Sequence, residues 1–270
     1  MTLATLIGTA FAQGLAMSLL MAGAWAVRRW TGNSGWIDVT WTFAVGLVGA
    51  ISALIPIVGS ELSSRQVLVA ALVMVWSLRL GSHLALRTVG SGDDPRYAAL
   101  ALEWGEDAPK RMFRFAQIQA VVAIPLLMTI MLAAQSPSAG LTLQDLMGAA
   151  MLVIAIIGEG IADAQLRAFK ANRENRGKVC DIGLWSWSRH PNYFFQWLGW
   201  LAYPVIAIAP LGGYPWGWLT LVGPLCMYWL LVHVSGIPPL EEHMLRSRGD
   251  AFRKYQARTS AFFPWPRSAQ

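Results

Sequence analysis

Residues 1–29 read MTLATLIGTAFAQGLAMSLLMAGAWAVRR. The run is apolar from Leu3 to Ala26 and closes on Arg28 and Arg29. A secretory leader carries its positive charges ahead of the apolar core, so this order marks a first membrane helix instead. About 20 apolar residues span ~30 Å of hydrocarbon. After this first run, at 3–26, comparable runs follow at 38–58, 66–86, 115–134, 146–166, 194–211 and 216–235. With Arg28 and Arg29 inside, all but two of the 21 Lys and Arg fall on inside segments. The exceptions are Arg65, on an outer connection, and Arg79, within a span. Basic residues concentrate on the cytoplasmic side. The sequence therefore predicts an all-α, polytopic membrane protein: a seven-transmembrane-helix bundle, N-terminus outside, C-terminus cytoplasmic, with residues 1–270 as a single membrane-embedded domain.

Composition agrees. The 270 residues are 55% hydrophobic and only 13% charged, against about 25% charged in a soluble domain. The net charge of +6 does not indicate nucleic acid, because the basic residues sit in loops between apolar runs and not on one soluble face. Cys180 and Cys226 have no metal-ligand spacing and read as free thiols. No internal repeat is visible, which argues against an inverted-repeat transporter. In the loop 87–114, Gly90, Gly92 and Pro95 are turn residues. Asp93, Asp94 and Arg96 either tie this loop down or belong to a solvated turn.

Ionisable groups inside a bilayer are costly and mark sites. Here they are Asp38, Arg79, His83, Glu159 and His233, with Gln13, Gln117, Gln119 and Gln196 adding neutral polarity. Asp38 opens the second span in GWIDVTWTF. It is either a helix N-cap or an acid that keeps its proton among aromatic neighbours and can donate it. Arg79, His83 and Arg87 follow at i, i+4 and i+8, on one face of the third helix. That stripe lines a cavity open to the inside or forms an ion-pair network with Asp38 or Glu159. Trp36, Trp41 and Trp76 lie near these groups in sequence, as walls of a substrate pocket or as belt and core residues.

Residues 159–200, EGIADAQLRAFKANRENRGKVCDIGLWSWSRHPNYFFQWLGW, carry the strongest signal. Asp163, Arg167 and Lys170 share a helix face, and Arg173, Arg176 and Lys178 follow. Such a cationic cluster suits a pyrophosphate or an anionic head group, and equally fits inside orientation alone. Pro191 fits the first position of a new helix, whose free N–H groups beside Arg189 and His190 form an anion site. The G-L-W-x-x-S-R-H-P-N-Y stretch, with R-G-x-x-F-x-x-Y-x-x-x-T-x-x-F-x-P in the tail, resembles the steroid 5-alpha-reductase family, specifically its bacterial branch. The likeness covers roughly 159–264, and GWIDVTWTF and WSLRLGSHLALR share it more faintly.

The resemblance implies an NADPH-dependent enzyme that reduces the carbon–carbon double bond of a 4-ene-3-oxo steroid or similar enone lipid. It implies cofactor contacts at Asp163, Arg167, Lys170, Asn192 and Tyr255. Arg173, His190, Tyr193, Gln196 and Arg246 complete the expected cofactor set. Gln196 stands where eukaryotic members have Glu. The family's acid lies on the second helix, helped by a Tyr on the third. The third span has no Tyr, which leaves Asp38, Arg79 and His83 as the catalytic candidates and Trp36, Trp41 and Trp76 as the substrate-binding ones. The expected location is a bacterial inner membrane with the active site toward the cytoplasm. The expected partners are a lipid substrate and membrane lipids, with no nucleic acid, metal or protein. A second class shares RHPxY and a C-terminal Glu-Glu, here Glu241 and Glu242. These are S-adenosylmethionine-dependent membrane methyltransferases of the isoprenylcysteine or phospholipid type. Their cofactor carries no phosphate, and the cations at 167–178 favour one that does.

Overall fold

The structure, a computed structural model, describes residues 1–57, 61–89, 92–93, 95–137, 140–208 and 213–266. Gly90, Asp94, Arg267 and the side chain of Arg96 lie outside the described residues. Among those described, 82% are helical and no strand occurs. The elements are α1 (Leu3–Thr31), α2 (Gly35–Leu54), α3 (Ser64–Val89), α4 (Pro95–Trp104), α5 (Ala108–Ala134), α6 (Leu143–Ala171), α7 (Pro191–Trp200), α8 (Ala202–Ala207), α9 (Val222–Trp229), α10 (Ile237–Arg248) and α11 (Asp250–Arg258).

Six helical stretches are long and apolar enough to cross a membrane: Leu3–Thr31, Gly35–Leu54, Ser64–Val89, Leu100–Ala134, Leu143–Ala171 and Pro215–Arg248. The protein is a multi-pass, all-helical membrane protein. The run expected at 194–211 is not one helix. It divides into α7 and α8 at Leu201, whose N–H turns back to the Leu198 carbonyl at 3.1 Å. Pro204 explains the break, because it has no N–H for the Trp200 carbonyl and its ring crowds that turn.

The chain forms two compact units. The first comprises Met1–Leu146 and Tyr203–Gly223. Its α2 and α3 meet along small residues. A Cβ on Gly46 would fall 2.1 Å from Ser77 Oγ, and one on Gly49 would fall 2.9 Å from Ile130 of α5. Ser77 Oγ donates to the Thr42 carbonyl at 3.0 Å. Small residues let backbones approach where lipid supplies no hydrophobic drive between helices. Valine at Gly46 is expected to cost about 1–3 kcal/mol by overpacking. Thermal unfolding in detergent reads this, and an unchanged midpoint would contradict so close an approach.

Polar pairs add to the seam. Gln13 donates to Ser52 at 3.0 Å, and Ser18 donates to Gln117 at 2.6 Å. Leu3, Ile7, Phe11, Leu15 and Leu19 form an exposed i, i+4 row on α1, as a lipid-facing stripe requires. At one end of this unit Arg65 grips Asp145 through two nitrogens, at 2.6 and 2.8 Å, with both side chains buried. Thr142 and Asp145 cap α6 reciprocally, in the manner of a capping box.

The second unit comprises Met147–Ala202 and Pro224–Gln270. Gly158 of α6 leaves room for Phe195 of α7, since a Cβ there would lie 2.4 Å from the ring. Phe194, Trp197, Tyr228, Phe262 and Phe263 interlock edge to face. This cluster docks the tail onto α7.

Candidate functional site

In the first unit, Ser34 is the N-cap of α2 and Asp38 lies beyond it in the first turn. The capping reading of Asp38 is thereby excluded. The loop after α3 is tied down. Asp93 accepts the Ser34 N–H at 2.6 Å, and Asn33 donates to the Thr88 and Gly92 carbonyls. Helix α4 follows, and its Tyr97 is buried. The Tyr97 hydroxyl donates to Asp38 Oδ1 at 2.5 Å, and Gln119 Nε2 donates to the same hydroxyl at 3.4 Å. Trp41 Nε1 donates to the Gln119 carbonyl at 3.2 Å, and Phe115 packs edge-on to the Tyr97 ring. Three segments, α2, α4 and α5, thus converge on one phenol–carboxyl pair.

The other residues expected here lie nearby in the chain. Arg79 and His83 are half-buried on α3, Trp36 is half-buried on α2, and Trp76 is buried. Tyr97 is the residue that sequence reasoning missed. Its signal was the spacing of Tyr97, Ala101 and Trp104 in a segment read as a polar loop.

In the second unit, Asp163 is buried on α6 and accepts a hydrogen bond from Asn192 Nδ2 at 3.4 Å. Arg167, Lys170 and Arg173 follow, all exposed. Gln196 is buried on α7. His190 is buried and stacks on Tyr193, ring centroids 5.5 Å apart. Burial holds its pKa below the ordinary histidine value, against the pull of the Glu241 carboxylate. The neutral ring donates from Nε2 to Glu241 at 2.9 Å, which leaves Nδ1 as a buried acceptor without a partner.

Glu241 is a hub. Its two oxygens receive Arg189 Nε and NH2, His190 Nε2 and Gln256 Nε2. Four donors fill the capacity of a carboxylate. Arg189 also donates to the carbonyls of Gln256 and Thr259, and Ser188 and Ser260 form an isolated parallel bridge. Two further residues of the expected cofactor set lie in this unit. The Tyr255 side chain is buried, and its hydroxyl donates to the Trp185 and Ser188 carbonyls, so it anchors the loop before α7. Arg246 lies on the exposed face of α10 and pairs with Glu242.

Residues 24–259 match a family described as "Protein of unknown function (DUF1295)". The chain belongs to this family. DUF1295 comprises membrane proteins related to the steroid 5-alpha-reductase-like superfamily. No curated protein and no solved structure matches the chain. The DUF1295 match takes in the Asp38–Tyr97 pair, the Asp163–Asn192 pair and the Glu241 hub alike. Among the described residues, no cluster of His, Cys, Asp or Glu could hold a metal ion, and both cysteines are free.

Proposed function

We propose that this protein is an NADPH-dependent membrane reductase acting on the carbon–carbon double bond of a 4-ene-3-oxo steroid or similar enone lipid. The carrying observation is the 2.5 Å contact between Tyr97 and Asp38. As such a double bond is reduced, negative charge builds on the ketone oxygen. A fixed donor aimed at that oxygen lowers the barrier. The pair donates a hydrogen bond to the ketone oxygen as hydride adds at the β carbon, and the enolate so formed takes up one proton at its α carbon to give the saturated ketone. Gln119 and Phe115 hold the phenol in place, and apolar surroundings keep water from the charge that develops.

The residues of the second unit fit a phosphorylated dinucleotide. Arg167, Lys170 and Arg173 are exposed cations suited to its phosphates. The Asp163–Asn192 pair and the bare His190 Nδ1 offer polar partners for amide and hydroxyl groups. NADPH, when bound, supplies the hydride that reaches the β carbon. In this reading α7 and α8 together make a seventh crossing. The N-terminus lies outside, and the cofactor residues face the cytoplasm of a bacterial inner membrane.

The test uses the full chain in lipid nanodiscs with NADPH and a 4-ene-3-oxo steroid. Loss of nicotinamide absorbance should accompany formation of the saturated ketone. Asp163→Asn should raise the KM for NADPH about tenfold, the worth of one hydrogen bond to a charged group. Absence of oxidation, with tight S-adenosylmethionine binding, would reverse the assignment.

A further inference from the structure

A cleft of ≈ 470 Å³ opens in the second unit beside the tail, lined by Arg189, Arg258, Thr259, Ser260, Phe263 and Trp265 among others. Its volume suits a small polar group. Among the described residues no carboxylate lines it. Arg189 is committed to Glu241 and to backbone carbonyls. Arg258 is not fully committed: it gives one terminal nitrogen to Asp181, and its Nε is buried without a partner. Thr259 Oγ1 is also buried without a partner. Each orphan of this kind costs about 1–3 kcal/mol; both atoms lie beneath the cleft surface, and what Arg258 offers the cleft is the rest of its side chain, 37% exposed.

The rim has the opposite character. Trp265 is 71% exposed and Phe263 48%. The backbone N–H of Trp265 donates to the Trp187 carbonyl at 3.0 Å, bringing in Trp187, itself 49% exposed. Aromatic rings of this kind sit at the head-group level of a bilayer, and basic groups beside them attract anionic lipids. We infer that this cleft binds the phosphodiester of an anionic phospholipid, with Arg258 on the phosphate and Phe263 and Trp265 along the first part of the acyl chain. The proposal does not depend on the reductase reading.

Native mass spectrometry of the full chain in detergent tests this, with phosphatidylglycerol, phosphatidylcholine and inorganic phosphate as probes. Phosphatidylglycerol should be retained about tenfold more strongly than phosphatidylcholine, and Arg258→Ala should remove that preference. Trp265→Ala should weaken retention of both lipids. Displacement of the lipid by inorganic phosphate would reassign the cleft to a free anion. Equal retention of the two lipids by the wild-type chain would overturn the proposal. Should Arg258→Ala fail to fold, the lipid comparison and Trp265→Ala decide it.

Discussion

Tyr97→Phe is expected to lower turnover of an enone lipid about 10²–10³-fold, the effect of deleting one preorganised oxyanion donor. The substitution removes one oxygen and keeps the ring, so the edge-on contact with Phe115 persists. The loss should appear in kcat, with the NADPH KM little changed, because charge on the ketone oxygen exists only near the transition state. Asp38→Asn should fall in the same direction, since it replaces the carboxyl that meets the phenol at 2.5 Å. The double variant should cost little more than either single one, as residues acting through one proton are not additive. Wild-type turnover in Tyr97→Phe would remove this residue from the chemistry and with it the main support for the reductase reading.

Arg65→Ala is expected to destabilise the first unit by about 3–5 kcal/mol, because it strands a buried carboxylate. Asp145 is wholly buried, and Arg65 also donates to the Ser136 carbonyl at 2.8 Å. The pair therefore joins the start of α3 to the start of α6 and to the connection before it. Replacing both partners with apolar residues, as in Arg65→Met with Asp145→Leu, should recover most of the loss, since a desolvated ion pair is worth little against good packing. Thermal unfolding in nanodiscs measures both variants. A single variant that melts with the wild type would show that Asp145 finds other compensation.

Much of the architecture was legible because hydropathy and charge act over long stretches. The first three spans and α6 were read nearly to their ends. The 194–211 run is apolar by composition, but Pro204 interrupts its hydrogen bonding, and composition does not count donors. Arg65 looked like an exception to the charge bias. It is a buried ion-pair partner and carries no information about loop charge. In the second unit Asp163 and Asn192 were each singled out, and the structure pairs them with one another; Tyr255 was expected at the cofactor, and its hydroxyl is bonded to the Trp185 carbonyl. A motif preserves which residues matter, but not which atom each one touches. Tyr97 escaped because it meets Asp38 across 59 positions. The short amphipathic helix that folds it back has a polar surface resembling a loop.

The turn preceding α7 starts against α6, where Leu184 and Trp185 donate to Gln165 and to the Ala162 carbonyl, and is then held by partners far downstream. Arg189 reaches carbonyls 67 and 70 positions later, Ser188 one 74 positions later, and Tyr255 returns 70 positions to Trp185. During synthesis, then, the Arg-His-Pro segment emerges long before the tail residues that hold Arg189 exist. Loop closure of that length carries an entropic cost that only the finished tail can offset. This corner consequently takes its final form after the upstream helices are already made, and any defect in the tail is felt at the head of α7.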